Sequence, residues 1–589
     1  MAPSTIDRRT ALKSLAAGTA ALTVPRVFDP VAAAAPAARG IFGYGVASGD
    51  PTGTSLVIWT RATPPASPGQ AVAAPGSGLG KPLQVRWEVA RDENFRDVVA
   101  RGTVRTSADT DHTLKVDVTG LAPYTRYHYR FESRGETSPV GHTRTAPDVP
   151  GEVHALRLAL VSCSNYTGGF FTAYRAIAAR DDLDLVLHVG DYIYEYPNGD
   201  GRYGPPELVG VRDHQPEGET IDLEGYRLRH ALHKADPDAQ AAHRALPWIT
   251  IFDDHEVTNN AWADGAGNHQ GDEGDYLARR EAALQAYLEW MPFRLPDQSE
   301  PHQGTQFFKR FTFGALAELS VLETRQNRSE QASSPLSPID GFIPLGNPAT
   351  DAVIADPTRH LAEPQQLQWL KDGLAAQGRP WHLVGNQVMV TPVRYPGVAL
   401  GLPGTFVNAD QWDGYAVDQA ALLGHLAALA AQSASAGAVV LTGDIHSSWG
   451  ADLPVAVGPT GTYTAVGVEF VTPSVTSDGF YEIVRNFFPS FSAEQAVGAT
   501  GQVTGAVRLA NPWVRYLNGI GHGYTVIDVT PQRVQADFHH TPVPTSASPD
   551  PRIYPNAMPV YAASMQTLAG SRRVSTASGP VGPRADEPA

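Results

Sequence analysis

The chain has a single cysteine, Cys163, in 589 residues. No intrachain disulfide can form, so the fold does without cross-links and the lone thiol needs another use. Charge is also scarce. Charged residues make up 18%, against about 25% in ordinary globular proteins. With 42% hydrophobic residues, that composition excludes general disorder. Positive charge is shorter still: 45 Lys and Arg face 61 Asp and Glu, a net charge of −16. No basic block offsets it, so nucleic acid or an anionic membrane is a poor match as main partner. No run of about 18 apolar residues occurs, so no helix spanning a bilayer is expected.

Glycine (56) and proline (48) are plentiful, which points to many turns and long loops. The length suggests roughly four units, or one large α/β domain with a smaller companion. Residues 1–38 read as an export signal, with Asp7-Arg8-Arg9-Thr10-Ala11-Leu12-Lys13 ahead of a short apolar run, Ser14 to Val24. Ala32 to Ala38 offers small-residue cleavage sites. This is a twin-arginine pattern, with Ala11 where that motif usually has Phe. The expected partner is the twin-arginine export machinery, which carries folded proteins, and the expected location is periplasmic or extracellular. Cleavage before Arg39 removes four positive and two negative charges and leaves a net charge of −18.

Residues 39–149 read as an all-β domain. Leu56-Val57-Ile58-Trp59-Thr60 follows the turn signal Gly49-Asp50-Pro51, while Val85, Trp87 and Val89 alternate with polar neighbours. Tyr127, Tyr129 and Phe131 repeat at period two behind Leu121-Ala122-Pro123, an arrangement similar to fibronectin type III sandwiches. Residues 150–540 alternate strands with helical stretches, the signature of α/β layers. Strands are expected at 156–161, 183–189, 248–252, 381–384 and 438–441, and helices near 170–180 and 226–246. Segments 197–225, 327–360 and 391–413 are Pro/Gly-rich loops long enough to cover a site. Residues 541–589 are a Pro/Ser/Ala-rich tail.

Five clusters follow apolar strands: Ser162-Cys163-Ser164, Gly190-Asp191-Tyr192-Ile193-Tyr194, Asp253-Asp254-His255-Glu256, Gly385-Asn386-Gln387 and Gly443-Asp444-Ile445-His446. Polar residues just past strand C-terminal ends are where α/β sheets collect their sites. Thiolate, phenolate and imidazole suit a trivalent iron, while carboxylate and amide oxygens suit a hard cation such as Ca²⁺. A shared carboxylate can bridge two metals about 3.5–4 Å apart, the spacing used in phosphoryl transfer. Each cluster alone has a plainer reading, such as an inert buried thiol, turn aspartates, a helix cap or a structural histidine.

In this order the clusters resemble the PhoD-type alkaline phosphatases, calcineurin-like metallophosphoesterases related to purple acid phosphatases. The resemblance extends to Ala47-Ser48-Gly49-Asp50-Pro51, Asp410-Gln411-Trp412-Asp413-Gly414-Tyr415, Val468-Glu469-Phe470 and His522-Gly523-Tyr524. It implies an α/β class fold: a four-layer αββα metallophosphoesterase core preceded by a small all-β fibronectin type III-like sandwich. It also implies Fe³⁺ and Ca²⁺ cofactors. Cys163, Tyr194 and His446 would ligate iron, Asp191 would bridge, and Asp254, Asn386 and Asp444 would join Asp191 around calcium. Asn260 and Glu469 are candidates for a second calcium. His255 would act as general acid or polarise phosphate, and Arg227 would hold a phosphate oxygen. Glu323-Thr324-Arg325 stands where the family usually has Asp-Thr-Arg.

The implied function is a secreted phosphatase releasing phosphate from monoesters, and from diesters as a possible extension, by in-line attack of a metal-bound oxygen. Its role would be phosphate acquisition from small phosphate esters. A phospholipase D-like phosphodiesterase on the same fold is the alternative. A binding protein on a dead scaffold is the remaining one, and the intact ligand set argues against it.

Overall fold

The computed structural model describes residues 40–584 apart from 66–72, 149–150, 152, 200–201, 295–306, 336, 338–340, 398–402 and 433–436. The export-signal reading of 1–38 lies outside the described residues.

Three of the expected strands form where their apolar runs place them: Leu156–Val161, Leu185–His188 and Pro247–Thr250. They pair in parallel, with Val161 opposite His188 and His188 opposite Thr250, so their C-terminal ends align. All of their residues are buried, which explains why these strands read as continuous apolar runs rather than alternating ones. Trp381–Asn386 and Gly437–Thr442 pair in parallel within a second sheet, ending together at Asn386 and Thr442. That sheet has seven strands and the first has ten.

One core joins the two sheets. It holds Leu158, Leu160, Leu187 and Ile249 from the first with Leu319, Leu383, Leu441 and Phe470 from the second. The outer face of the seven-stranded sheet packs Val384 and Val440 against Leu367, Leu370, Leu422 and Leu426 of two helices, Pro364–Ala375 and Ala416–Ala430. The first sheet carries Thr172–Ala178 and Pro237–Ala245 on its side. The result is the expected αββα layering. Among the described residues no helix is long and apolar enough to cross a membrane.

The β region is joined to the catalytic core through the ten-stranded sheet, which three of its strands, Val46–Gly49, Ser55–Arg61 and Thr113–Thr119, continue. Val46–Gly49 pairs in parallel with Pro247–Thr250. The opposing sheet, built on Gln84–Ala90, Val98–Arg105 and Arg126–Ser133, closes the sandwich over Val85, Tyr127, Tyr129 and Phe131. The segment after residue 540 is likewise part of the fold: Val560–Leu568 pairs with Arg533–His540, and Ser575–Thr576 pairs with it in turn.

Candidate metal centre

Four turns at aligned strand ends build the site. Cys163 follows Leu156–Val161, Asp191 follows Leu185–His188, Asp253 and Asp254 follow Pro247–Thr250, and Asp444 and His446 follow Gly437–Thr442. The turns are tight. A Cβ on Gly190 would fall on that of Asp253 and within 2.6 Å of its amide nitrogen, so only glycine lets these two turns meet. Gly443 approaches Ser162 in the same way. Cys163, Asp191, Asn260, Asp444 and His446 all adopt positive φ, between 53° and 62°. Non-glycine residues held in that region store strain that clusters at ligand sites.

Glu256 ties two turns together. Its carboxylate accepts from the amides of Asp191 (3.1 Å), Tyr192 (2.6 Å) and Asp253 (2.8 Å). Burial pushes its pKa up to about 7, against the pull of those amides.

Several of these donors lie close together. Ligand atoms of Cys163, Asp191 and His446 lie within 4.8 Å of one another, and so do those of Asp191, Asp254 and His255. Asp191 belongs to both groups. Its Oδ2 accepts from the Tyr194 hydroxyl at 2.8 Å, while its Oδ1 is buried with no hydrogen-bond partner. The Tyr194 oxygen sits 3.4 Å from His446 Nε2 and accepts from Ser477 Oγ at 2.7 Å. His446 Nδ1 is 2.6 Å from the Asp478 carbonyl. Donation there leaves Nε2 with its lone pair toward the cluster, the arrangement that prepares a histidine for a metal. Asn386 follows its strand into the turn beside Thr442, whose Oγ1 is 3.4 Å from Asn386 Nδ2.

The electrostatics call for cations. Burial drives the Asp191 pKa well above its ordinary value; the pull of His255 opposes it and the repulsion of Asp254, Glu256 and Asp444 adds to it. Burial and Asp191 do the same to the Cys163 thiol. An orphaned buried carboxylate oxygen beside a thiol, a phenol and an imidazole is a donor set that fits bound metal ions.

Arg325 brings a buried positive charge of the protein's own to the site, and the sequence reading gave it no role. Arg325 is fully buried and pairs with Asp253, with Asp410 at 2.7 Å and with Asp444 at 2.8 Å. Arg328 holds the other Asp410 oxygen at 2.7 Å. Glu323, which replaces the usual aspartate, caps this turn by accepting from the amides of Arg325 and Gln326 at 2.6 Å each. Glu195 was missed as well. It receives His255 Nδ1 at 2.7 Å and also accepts from Thr258, Asn259 and Asn268. Burial disfavours the charged form of His255, but Glu195, Asp254 and Asp191 outweigh it and push the pKa up to about 10. The ring stacks on Tyr194 with centroids 4.1 Å apart.

Arg227 needs correction. Its Nε and Nη2 both bind the Glu289 carboxylate at 2.7 Å, and Nη2 also donates to the Asp109 carbonyl at 2.6 Å. That bidentate fork clamps the helix Leu223–Ala235 to its neighbours and is not free for phosphate. Asn260 and Glu469 share no hydrogen-bond partner among the described residues. Asn260 donates its amide to Asp254 Oδ2 at 2.5 Å. Glu469 accepts from the amides of Val390 and Thr391 and from Thr442 Oγ1, bracing the turn after Asn386.

Soft and hard donors gathered at aligned strand ends between two packed sheets make this a candidate metal centre. Comparison with known proteins makes the class specific. A family model described as PhoD-like phosphatase matches residues 158–538, and its N-terminal domain model matches 29–147. Alkaline phosphatase D of Bacillus subtilis (strain 168) is 35% identical over 544 residues, covering 91% of this chain and 82% of that protein. A solved structure of PhoD superposes with a TM-score of 0.74 at 32% identity, covering 92% of each chain. The chain belongs to the PhoD-like phosphatase family and is a phosphoric ester hydrolase.

Proposed function

We propose that the protein is an exported phosphatase acting on small phosphate monoesters, and on diesters as a second class, with Fe³⁺ and Ca²⁺ as its metals and phosphate acquisition as its role. The observation that carries this reading is the Asp191 carboxylate, common to a Cys163/His446 group and an Asp254 group and bearing a buried orphan oxygen. Cys163, Tyr194, His446 and Asp191 would hold iron, the thiolate, phenolate and imidazole being donors that suit a trivalent ion. Asp254, Asn386 and Asp444 with Asp191 would hold calcium through oxygen alone. Such ions supply positive charge for the phosphate oxygens and lower the pKa of bound water. A second calcium at Asn260 and Glu469 lacks comparable support, since Glu469 already accepts three hydrogen bonds.

The chain's own groups supply the rest. Glu195 fixes His255 Nδ1, which leaves Nε2 to meet substrate with a proton to give. Arg325 holds Asp444 and Asp253 in place without touching the ester. Tyr203, from the 197–225 loop, packs 5.9 Å from the Tyr194 ring and screens that side from water.

His255→Ala is expected to retain its metals and lose about 10²–10⁴-fold in kcat, the usual worth of acid–base participation. If His255 protonates the leaving oxygen, an ester with an activated leaving group will suffer less than a simple alkyl phosphate. Near-normal turnover on both esters would make the histidine structural. Replacing Arg8 and Arg9 together by Lys is expected to leave precursor in the cytoplasm, and normal export of that variant would contradict the twin-arginine route.

A second reading, hydrolysis of phospholipids, draws on one feature. Ile483 and Phe487 on the helix Phe480–Phe487, with Phe488 just past its end, expose apolar surface, and the helix begins two residues after Asp478, whose carbonyl braces His446. Assaying a monoester, a bis-ester and phosphatidylcholine side by side separates the readings. The first expects the monoester to be turned over fastest, and the second expects the phospholipid.

A further inference from the structure

Away from the metal centre, the β sandwich brings a second set of donors together. His128 on the strand Arg126–Ser133 and His142 on the strand Gly141–Arg144 are directly opposite each other in antiparallel register. Their rings lie 5.0 Å apart at 77°. Glu93, on the turn between the strands Gln84–Ala90 and Val98–Arg105, places Oε1 3.8 Å from His142 Nε2. One ligand atom from each of the three lies within 4.8 Å of the others. His128 Nδ1 is buried and has no hydrogen-bond partner. Solvent reaches the group from one side, since the side chains of His142 and Glu93 are 41% and 66% exposed.

We propose that Glu93, His128 and His142 form a zinc site that staples the sandwich. Opposed histidines on neighbouring strands have no need of each other as neutral rings, and a buried ring nitrogen without a partner is an unfavourable arrangement unless something binds it. Two imidazoles and one carboxylate are a set that zinc takes, with water in the fourth position. Imidazole nitrogen is a poor donor for calcium or magnesium, which take oxygen. The bound ion would tie the 84–105 hairpin to strands 126–144, a cross-link of the kind the absent disulfides would otherwise give this module.

The test uses full-length protein with its catalytic metals loaded, titrated with Zn²⁺ against a competing chelator. Wild type is expected to take up one zinc per chain in excess of the catalytic set, and its Tm to rise with zinc concentration. His142→Ala and His128→Gln are expected to weaken that uptake by at least about 10-fold, the loss seen even when a metal's outer-shell partner is removed. Glu93→Gln, at an exposed position where folding is not at issue, is expected to weaken it in the same direction. Phosphatase turnover should be unchanged in all three. Cu²⁺ bound in place of zinc should show nitrogen hyperfine structure from two imidazoles in wild type and from one in His142→Ala. Equal zinc uptake and an equal zinc-dependent Tm rise in wild type and all three variants would overturn the assignment, as would a Cu²⁺ signal that His142→Ala leaves unchanged.

Discussion

Asp191→Asn is expected to lose both bound metals and at least about 10³-fold in kcat, since metal ions contribute several kcal/mol of transition-state charge stabilisation. Asp191 is the carboxylate common to the two donor groups, and its Oδ1 is buried without a protein partner. The amide substitute keeps the size but removes the charge that, on the proposed assignment, screens the two cations from each other. The fold should persist, because the backbone amide of residue 191 still reaches Glu256. Metal content and turnover measured on the same preparation check this. Full metal occupancy in an inactive variant would move Asp191 from metal holding to chemistry, and full activity would remove it from both.

The second large effect concerns stability. Arg325→Met is expected to destabilise the protein by about 3–5 kcal/mol, the usual loss when one partner of a buried ion network is removed. Asp253 and Asp444 pair with this guanidinium, Asp410 shares it with Arg328, and Asp253 is fully buried. Without it their pKa values rise and one or more must take up a proton. Arg86 is a fitting control. It pairs with Glu88 and Glu132 at the surface, where such pairs are worth roughly 0–1 kcal/mol. Comparing urea midpoints of the two variants checks the claim, and similar small shifts in both would contradict the organising role given to Arg325.

The candidate ligand residues were legible because each lies at or just past the end of a strand whose apolar run announces itself. Cys163, Asp191, Asp254, Asn386 and Asp444 were found by their position past such runs, and the aligned strand ends bring them to one edge. Arg325 was not legible in that way. It follows the strand Ala317–Val321 with no glycine or aspartate to mark a tight turn, and its importance exists only once three separate segments surround it. Glu195 is adjacent to Tyr194, yet nothing local marks it as the partner of His255, 60 positions later. Arg227 misled for the converse reason, since its bidentate partner Glu289 comes from a distant helix.

At the level of fold, the strands of the N-terminal region were readable by period two, but their continuation into the catalytic sheet was not. Val46–Gly49 and Pro247–Thr250 are paired across about two hundred residues, and nothing local encodes such a pairing. The strand Val560–Leu568 was missed because its exposed edge carries small and polar residues and shows no strict alternation.

The most direct test of the central claim is the metal content of the purified, active wild-type protein. Elemental analysis alongside phosphomonoester hydrolysis is predicted to find about one iron per chain together with calcium, in line with a thiolate–phenolate–imidazole set beside an oxygen set. A fully active preparation that contains no iron would contradict it.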